Sequence, residues 1–130
     1  QLQTFQGNRV FEYVVAEGSL TVPADTDGAI AVGATFWADD RLEPFSSWGP
    51  TADGRSKPDI AAPDGVANVS LNPFFGTSAA APHVAGAIAL MKSRFGLFSF
   101  DQIVEILLAR AIPKGDANQY GAGRLDIIGQ

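Results

Sequence analysis

Apolar and polar positions change rhythm several times along the chain. Leu2, Phe5, Val10, Tyr13 and Val15 sit among Gln and Thr, with Gly7-Asn8 and Glu17-Gly18 as turn signals, so residues 1–18 read as short strands. Residues 29–34 (AIAVGA) are apolar throughout, which suits a strand covered on both faces in a parallel sheet. Residues 39–64 are rich in Pro, Gly, Asp and Ser and read as long functional loops around the short run Ile60-Ala61-Ala62. Residues 77–95 then carry Val84, Ile88 and Met91 at spacings of four and three, predicting a helix that Gly96 stops. A second helix is predicted over residues 99–111, where Ser99-Phe100-Asp101-Gln102 forms a capping-box pattern and Ile103, Ile106 and Leu107 follow; Pro113 ends it. Residues 121–128 read as a tight turn into a last short element. Strands alternating with helices predict an α/β layer architecture with a mostly parallel sheet, and no internal repeat or linker interrupts it.

Composition narrows the class. The chain has 130 residues, 46% of them hydrophobic and 18% charged, which excludes a disordered tail and fits one domain's worth of core. A net charge of −5 turns it away from nucleic acid and anionic membrane surfaces. The absence of Cys excludes disulfides, a thiol nucleophile and Cys-ligated metal, and a single His excludes a His-cluster metal site. The longest apolar stretch, residues 79–91, is broken by Pro82 and His83 and falls short of the ~18–20 residues of a membrane span. The chain opens on Gln1 with no basic and apolar leader pattern, so it is expected to be a segment of a longer protein.

The most informative stretch is GTSAAAPHVAG, residues 76–86. It places Ser78 at a helix entrance between Gly76 and three alanines. First-turn N–H groups lack intrahelical acceptors, the positive end of the helix dipole lies beside the hydroxyl, and small neighbours admit a substrate carbonyl. Those are the needs of an acyl-transfer nucleophile; the alternative from the same residues is an ordinary helix cap. His83 is not the matching base, because five residues along a helix give ~7.5 Å of rise and ~140° of rotation. A base needs its nitrogen ~2.6–3.2 Å from the proton it takes.

These eleven residues closely resemble the active-serine motif GTSMAAPHVAG of the subtilisin-like serine proteases, the subtilases. FSSWGPTADGRSKPDIAAP (residues 45–63) resembles the family's FSSRGPTxDGRxKPDIxAP segment. VPADTDGAIAVGA (22–34) and QYGAGRLD (119–126) are similar to a sheet strand and the last turn of the fold, and all four stand in the family's order.

The resemblance implies the C-terminal part of a three-layer subtilisin-like fold over residues 21–130, with residues 1–20 as the end of an inserted domain. It makes Ser78 both the nucleophile and, through its backbone N–H, one oxyanion donor. It puts Val22, Pro23 and Ala24 near the wall of the substrate-specificity pocket, and it makes His83 a packed, non-catalytic helix residue. The family's catalytic Asp and His and its oxyanion Asn come earlier in the chain and find no match among Asp25, Asp27, Asp53, Asp59 and Asp64, which sit in loop motifs. This polypeptide alone is therefore expected to be inactive, to need the missing N-terminal half as partner, and to associate with that half or with itself. A polypeptide substrate, a secreted or cell-surface location and no cofactor for the chemistry follow as family expectations. Subtilases often bind a structural calcium, to which the loop oxygens of Asp25, Asp27 and Asp59 could contribute; the favoured alternative is that these are solvated turn carboxylates. A pseudoprotease or interaction module with the same fold is the alternative. The sequence departs from the usual pattern at Trp48, Asp64, Phe75 and Ala79, the last standing where the family often has Met.

Overall fold

The computed structural model describes residues 15–128. The strands expected over residues 1–18 therefore fall largely outside the described residues; Glu17-Gly18 does form a turn, with Gly18 at φ 65°.

Two strands form the sheet: β1 (Val32–Phe36) and β2 (Ile60–Asp64), paired in parallel from Val32 opposite Ile60 to Phe36 opposite Asp64. Strand β1 begins three residues later than the apolar run because residues 29–31 spend backbone groups on side chains. Ala29 O accepts from Lys57 Nζ (2.8 Å), and Ala31 N donates to Asp59 Oδ2 (2.7 Å). Strand β2 runs two residues past Ile60-Ala61-Ala62, so Asp64 is a strand residue with no solvent access rather than a loop carboxylate.

Two helices follow where the periodicity places them. Helix α1 (Thr77–Arg94) sets Ala80, Val84 and Ala87 against Ala34, Ile60 and Ala62. Small residues on both sides let helix and sheet approach closely. Helix α2 (Phe100–Arg110) buries Ile103 and Leu107, and Leu107 joins the same core. Its expected capping box is present: Ser99 Oγ accepts from Gln102 N (3.2 Å) and Gln102 Oε1 from Ser99 N (2.8 Å). A one-turn helix, α3 (Ala117–Tyr120), capped by Asp116, was not legible in the sequence.

The chain closes much of its own sheet. Along the outer edge of β1, Phe36 N donates to Arg41 O (2.9 Å) and Ala34 O accepts from Glu43 N (3.0 Å). Along that of β2, Ala61 N donates to Gly123 O (2.9 Å) and Leu125 N to Ala61 O (2.7 Å). Apolar exposure lies elsewhere, at Val69, Leu90 and Leu97. No described helix is long and apolar enough to cross a membrane.

Candidate active site

Ser78 is the second residue of α1, not its cap. Gly76 takes the cap position with φ 120°, a value that L side chains rarely adopt, and its carbonyl accepts from Ala79 N (2.8 Å) and Ala80 N (3.3 Å). The Ser78 hydroxyl is therefore not consumed in capping. It is exposed, and among the described residues neither it nor the Ser78 N–H has a hydrogen-bond partner. Pro82 adds a local effect. It has no N–H to give the carbonyl four residues back, so Ser78 O also lacks its usual helical donor. The first turn thus presents a free hydroxyl and a free N–H on the positive end of an 18-residue helix.

His83 turns to its own helix, where its Nδ1 lies 2.8 Å from Ala79 O. As Nδ1 donor to a carbonyl it leaves only Nε2 as a base, with no tie to Ser78. The packed position expected of it is not what it occupies: among the described residues it is exposed.

Val22, Pro23 and Ala24 lie in a turn held by Ala24 N to Thr21 O (2.9 Å) and Thr26 Oγ1 to Pro23 O (2.8 Å). Val22 is 76% exposed. Ala24 lines an open pocket of about 540 Å³ together with Leu20, Ala31, Ser46 and Thr77, the residue before Ser78. Val22 and Pro23 do not line it. Arg55, from the DGR stretch, holds this turn from behind: its Nη1 meets Asp27 Oδ1 (2.6 Å) and its Nη2 donates to Asp25 O (2.7 Å). Its Nε pairs with both oxygens of Asp53 (3.0 and 2.9 Å). Hydrogen bonds from Thr51 and Arg55 bring the Asp53 carboxyl down to about 2.

The three carboxylates considered for calcium go separate ways. Asp59 Oδ2 takes Lys57 Nζ (2.6 Å) and Ala31 N, Asp27 takes Arg55, and the buried Asp25 Oδ1 has no partner among the described residues. Among the described residues, no three Asp, Glu or His side chains are gathered to hold a metal ion.

Two buried acids escaped the sequence reading. Asp64 Oδ2 accepts the Gly76 N–H at 2.8 Å, and Glu43, 5% exposed, lies against Asp64. The unusual Asp in APDG was the available signal for one; nothing marked the other. Phe75 is stacked on Phe36 (ring centroids 6.4 Å apart) above Gly65, which has φ 67° and no room for a Cβ. The aromatic ahead of the serine motif is thus tied to β1.

Known proteins resemble this chain in sequence and fold. The model of the subtilase family matches residues 6–123. Subtilisin Savinase of Lederbergia lenta is 40% identical over 114 residues, covering 82% of this chain and 39% of its own length. The C5a peptidase of Streptococcus pyogenes is 48% identical over 60 residues, 42% of this chain and 5% of its own. Among solved structures, the CspB protease of Clostridium perfringens superposes with a TM-score of 0.74 at 27% identity, covering 86% of this chain and 28% of that one. This chain therefore spans well under half the length of these relatives. It belongs to the subtilase family, as part of a subtilisin-like α/β peptidase domain.

Proposed function

We propose that this chain is the serine-bearing part of a subtilisin-like endopeptidase that cleaves polypeptides through an acyl-enzyme on Ser78. The observation that carries the proposal is the free hydroxyl and free N–H of Ser78 in the first turn of α1. The Ser78 Oγ attacks the scissile carbonyl while its proton passes to a base. The oxygen of that carbonyl becomes an anion, which the Ser78 N–H and the helix end stabilise. The amine leaves with the proton, and water then releases the acyl group.

The base is a His outside this chain, oriented by an Asp further upstream, and an upstream Asn gives the second oxyanion donor. Alone, the chain is inactive. Its exposed apolar side chains fit burial against the N-terminal half of the same peptidase domain. Val22, Pro23 and Ala24 belong to the specificity wall, with Ala24 nearest the serine loop. The chemistry requires no cofactor, and a structural calcium would need donors beyond Asp25, Asp27 and Asp59. A secreted or cell-surface location accords with the family.

The test is covalent labelling of the intact protein with a fluorophosphonate probe. Label is expected on Ser78 and lost in Ser78→Ala. A folded intact protein that takes no label is a non-catalytic relative instead.

A further inference from the structure

We propose that Glu43 and Asp64 share one proton as a buried carboxyl pair, and that this pair positions the loop carrying the nucleophile through the Gly76 N–H. The inference rests on the hydrolase reading of Ser78 and adds two positioning residues to it.

Asp64, the last residue of β2, has no solvent access, and Glu43 has almost none. Asp64 Oδ2 is occupied by the Gly76 N–H at 2.8 Å. The other Asp64 oxygen, Oδ1, and the Glu43 Oε1 are both buried and meet no N–H or O–H donor among the described residues. Asp64 acts on Glu43 both through its charge and through a side-chain contact. Two bare carboxylates in contact and away from water repel strongly, and each would leave an unsatisfied oxygen. One proton between them removes the repulsion and satisfies both orphan oxygens.

Glu43 is the partner that keeps the proton. Burial raises its pKa first and the Asp64 charge second; Asp39 pushes the same way and Arg41 opposes. The first turn of α1 contributes no acidic residue. Glu43 then donates to Asp64, and Asp64 accepts from Gly76. Gly76 is fixed at both ends, its N–H by Asp64 and its carbonyl by Ala79 N and Ala80 N. Two residues on stands Ser78. When Glu43 ionises, the acceptor that holds Gly76 faces a second buried charge, and the serine loop loses its anchor.

The experiment uses the intact protein and measures the rate of fluorophosphonate labelling at Ser78 against pH. The wild type is expected to lose labelling rate as pH rises and Glu43 ionises. Glu43→Gln keeps a donor that cannot ionise, so its rate persists and the fall with rising pH disappears. Asp64→Ala is expected to label roughly five- to tenfold more slowly at all pH values, the loss of one hydrogen bond. Superposable profiles for the wild type and Glu43→Gln overturn the proposal. Two measurements on the wild type stand independently of the variants' folding and of the probe. Infrared spectroscopy should find a carboxyl that stays protonated above the ordinary carboxylate range, and the Gly76 amide resonance should follow its titration. Absence of either overturns the pair. A protein that takes no probe at any pH yet shows both signals refutes the hydrolase reading and leaves the carboxyl pair standing.

Discussion

Lys57 Nζ meets Asp59 Oδ2 at 2.6 Å, and the lysine side chain is only 6% exposed. The same carboxylate oxygen accepts from Ala31 N, and the same ammonium reaches Ala29 O. The KPDI stretch thereby sets where β1 starts and how β2 lies beside it. Removing one partner strands a buried charge. Asp59→Leu is expected to lower the stability of the intact protein by about 3 kcal/mol. The double variant Lys57→Met/Asp59→Leu should recover most of that loss. Denaturant midpoints decide the matter, and a double variant no better than Asp59→Leu would show that the pair does more than neutralise itself.

Gly121 and Gly54 both have positive φ, at 63° and 87°, but their surroundings differ. A Cβ on Gly121 would lie 2.2 Å from Asp59 C and 2.5 Å from Ile60 N, whereas one on Gly54 meets nothing within 4 Å. Gly54→Ala should cost about 1 kcal/mol, the steric cost of the left-handed region alone. Gly121→Ala must also push the tail off β2 and should cost several times more. Thermal melts of the two variants side by side test this; equal melting temperatures would refute it.

The helices were legible because their signals are local: a 3.6-residue rhythm, a capping box at Ser99, Pro113 beyond the end. Ser78 was legible because its motif is contiguous. What escaped depends on contacts between distant positions. The start of β1 is decided by Lys57 and Asp59 across the sheet, not by the apolar run over residues 29–34. The role of Asp64 is decided by Gly76, twelve residues on, and by Glu43 on a different turn. Helix α3 has one turn and no apolar period to announce it.

Asp53 supplies a pH-dependent contribution with a definite sign. Its carboxyl is held at about 2, chiefly by the Thr51 hydroxyl and then by Arg55, against ~3.9 for an unfolded Asp. A depressed carboxyl stabilises the fold above its unfolded pKa, and that contribution is lost as pH falls through about 2. Asp53→Asn is therefore expected to be less stable than wild type at neutral pH, with the gap closing as pH falls from about 4 to about 2. A gap that stays constant over this range would refute the assignment.

Arg55 links that acid to the turn bearing Ala24. Arg55→Lys keeps the charge but loses the fork that grips Asp27, Asp25 and Asp53 together. In the intact enzyme this should raise KM for peptide substrates several-fold with little change in kcat. A fall in kcat at unchanged KM would place Arg55 in the chemistry instead.

Oxidation gives a further test. The chain's one methionine, Met91, lies thirteen residues beyond Ser78 on α1, about 20 Å along the axis. Ala79, beside the serine, is buried and carries no sulfur. The intact protein should tolerate peroxide better than its Ala79→Met variant, which places a sensitive thioether next to Ser78. Equal peroxide inactivation of the two forms would sink the idea.

The tail that closes β2 also sets a clock on synthesis. Leu42 N donates to the hydroxyl of Tyr120, 78 residues later, and Ala61 waits for Gly123 and Leu125. At 5–20 residues per second a ribosome needs about 4–16 s to travel from Leu42 to Tyr120. Through that interval β2 emerges with its outer bonds unmade, whereas β1 is closed early by Arg41 and Glu43, and Ser78 is translated well before the segment that secures its sheet. The support of α1 and Ser78 is thus completed from the far end of the chain, and a nascent chain stalled short of Leu125 carries the serine motif without its finished support.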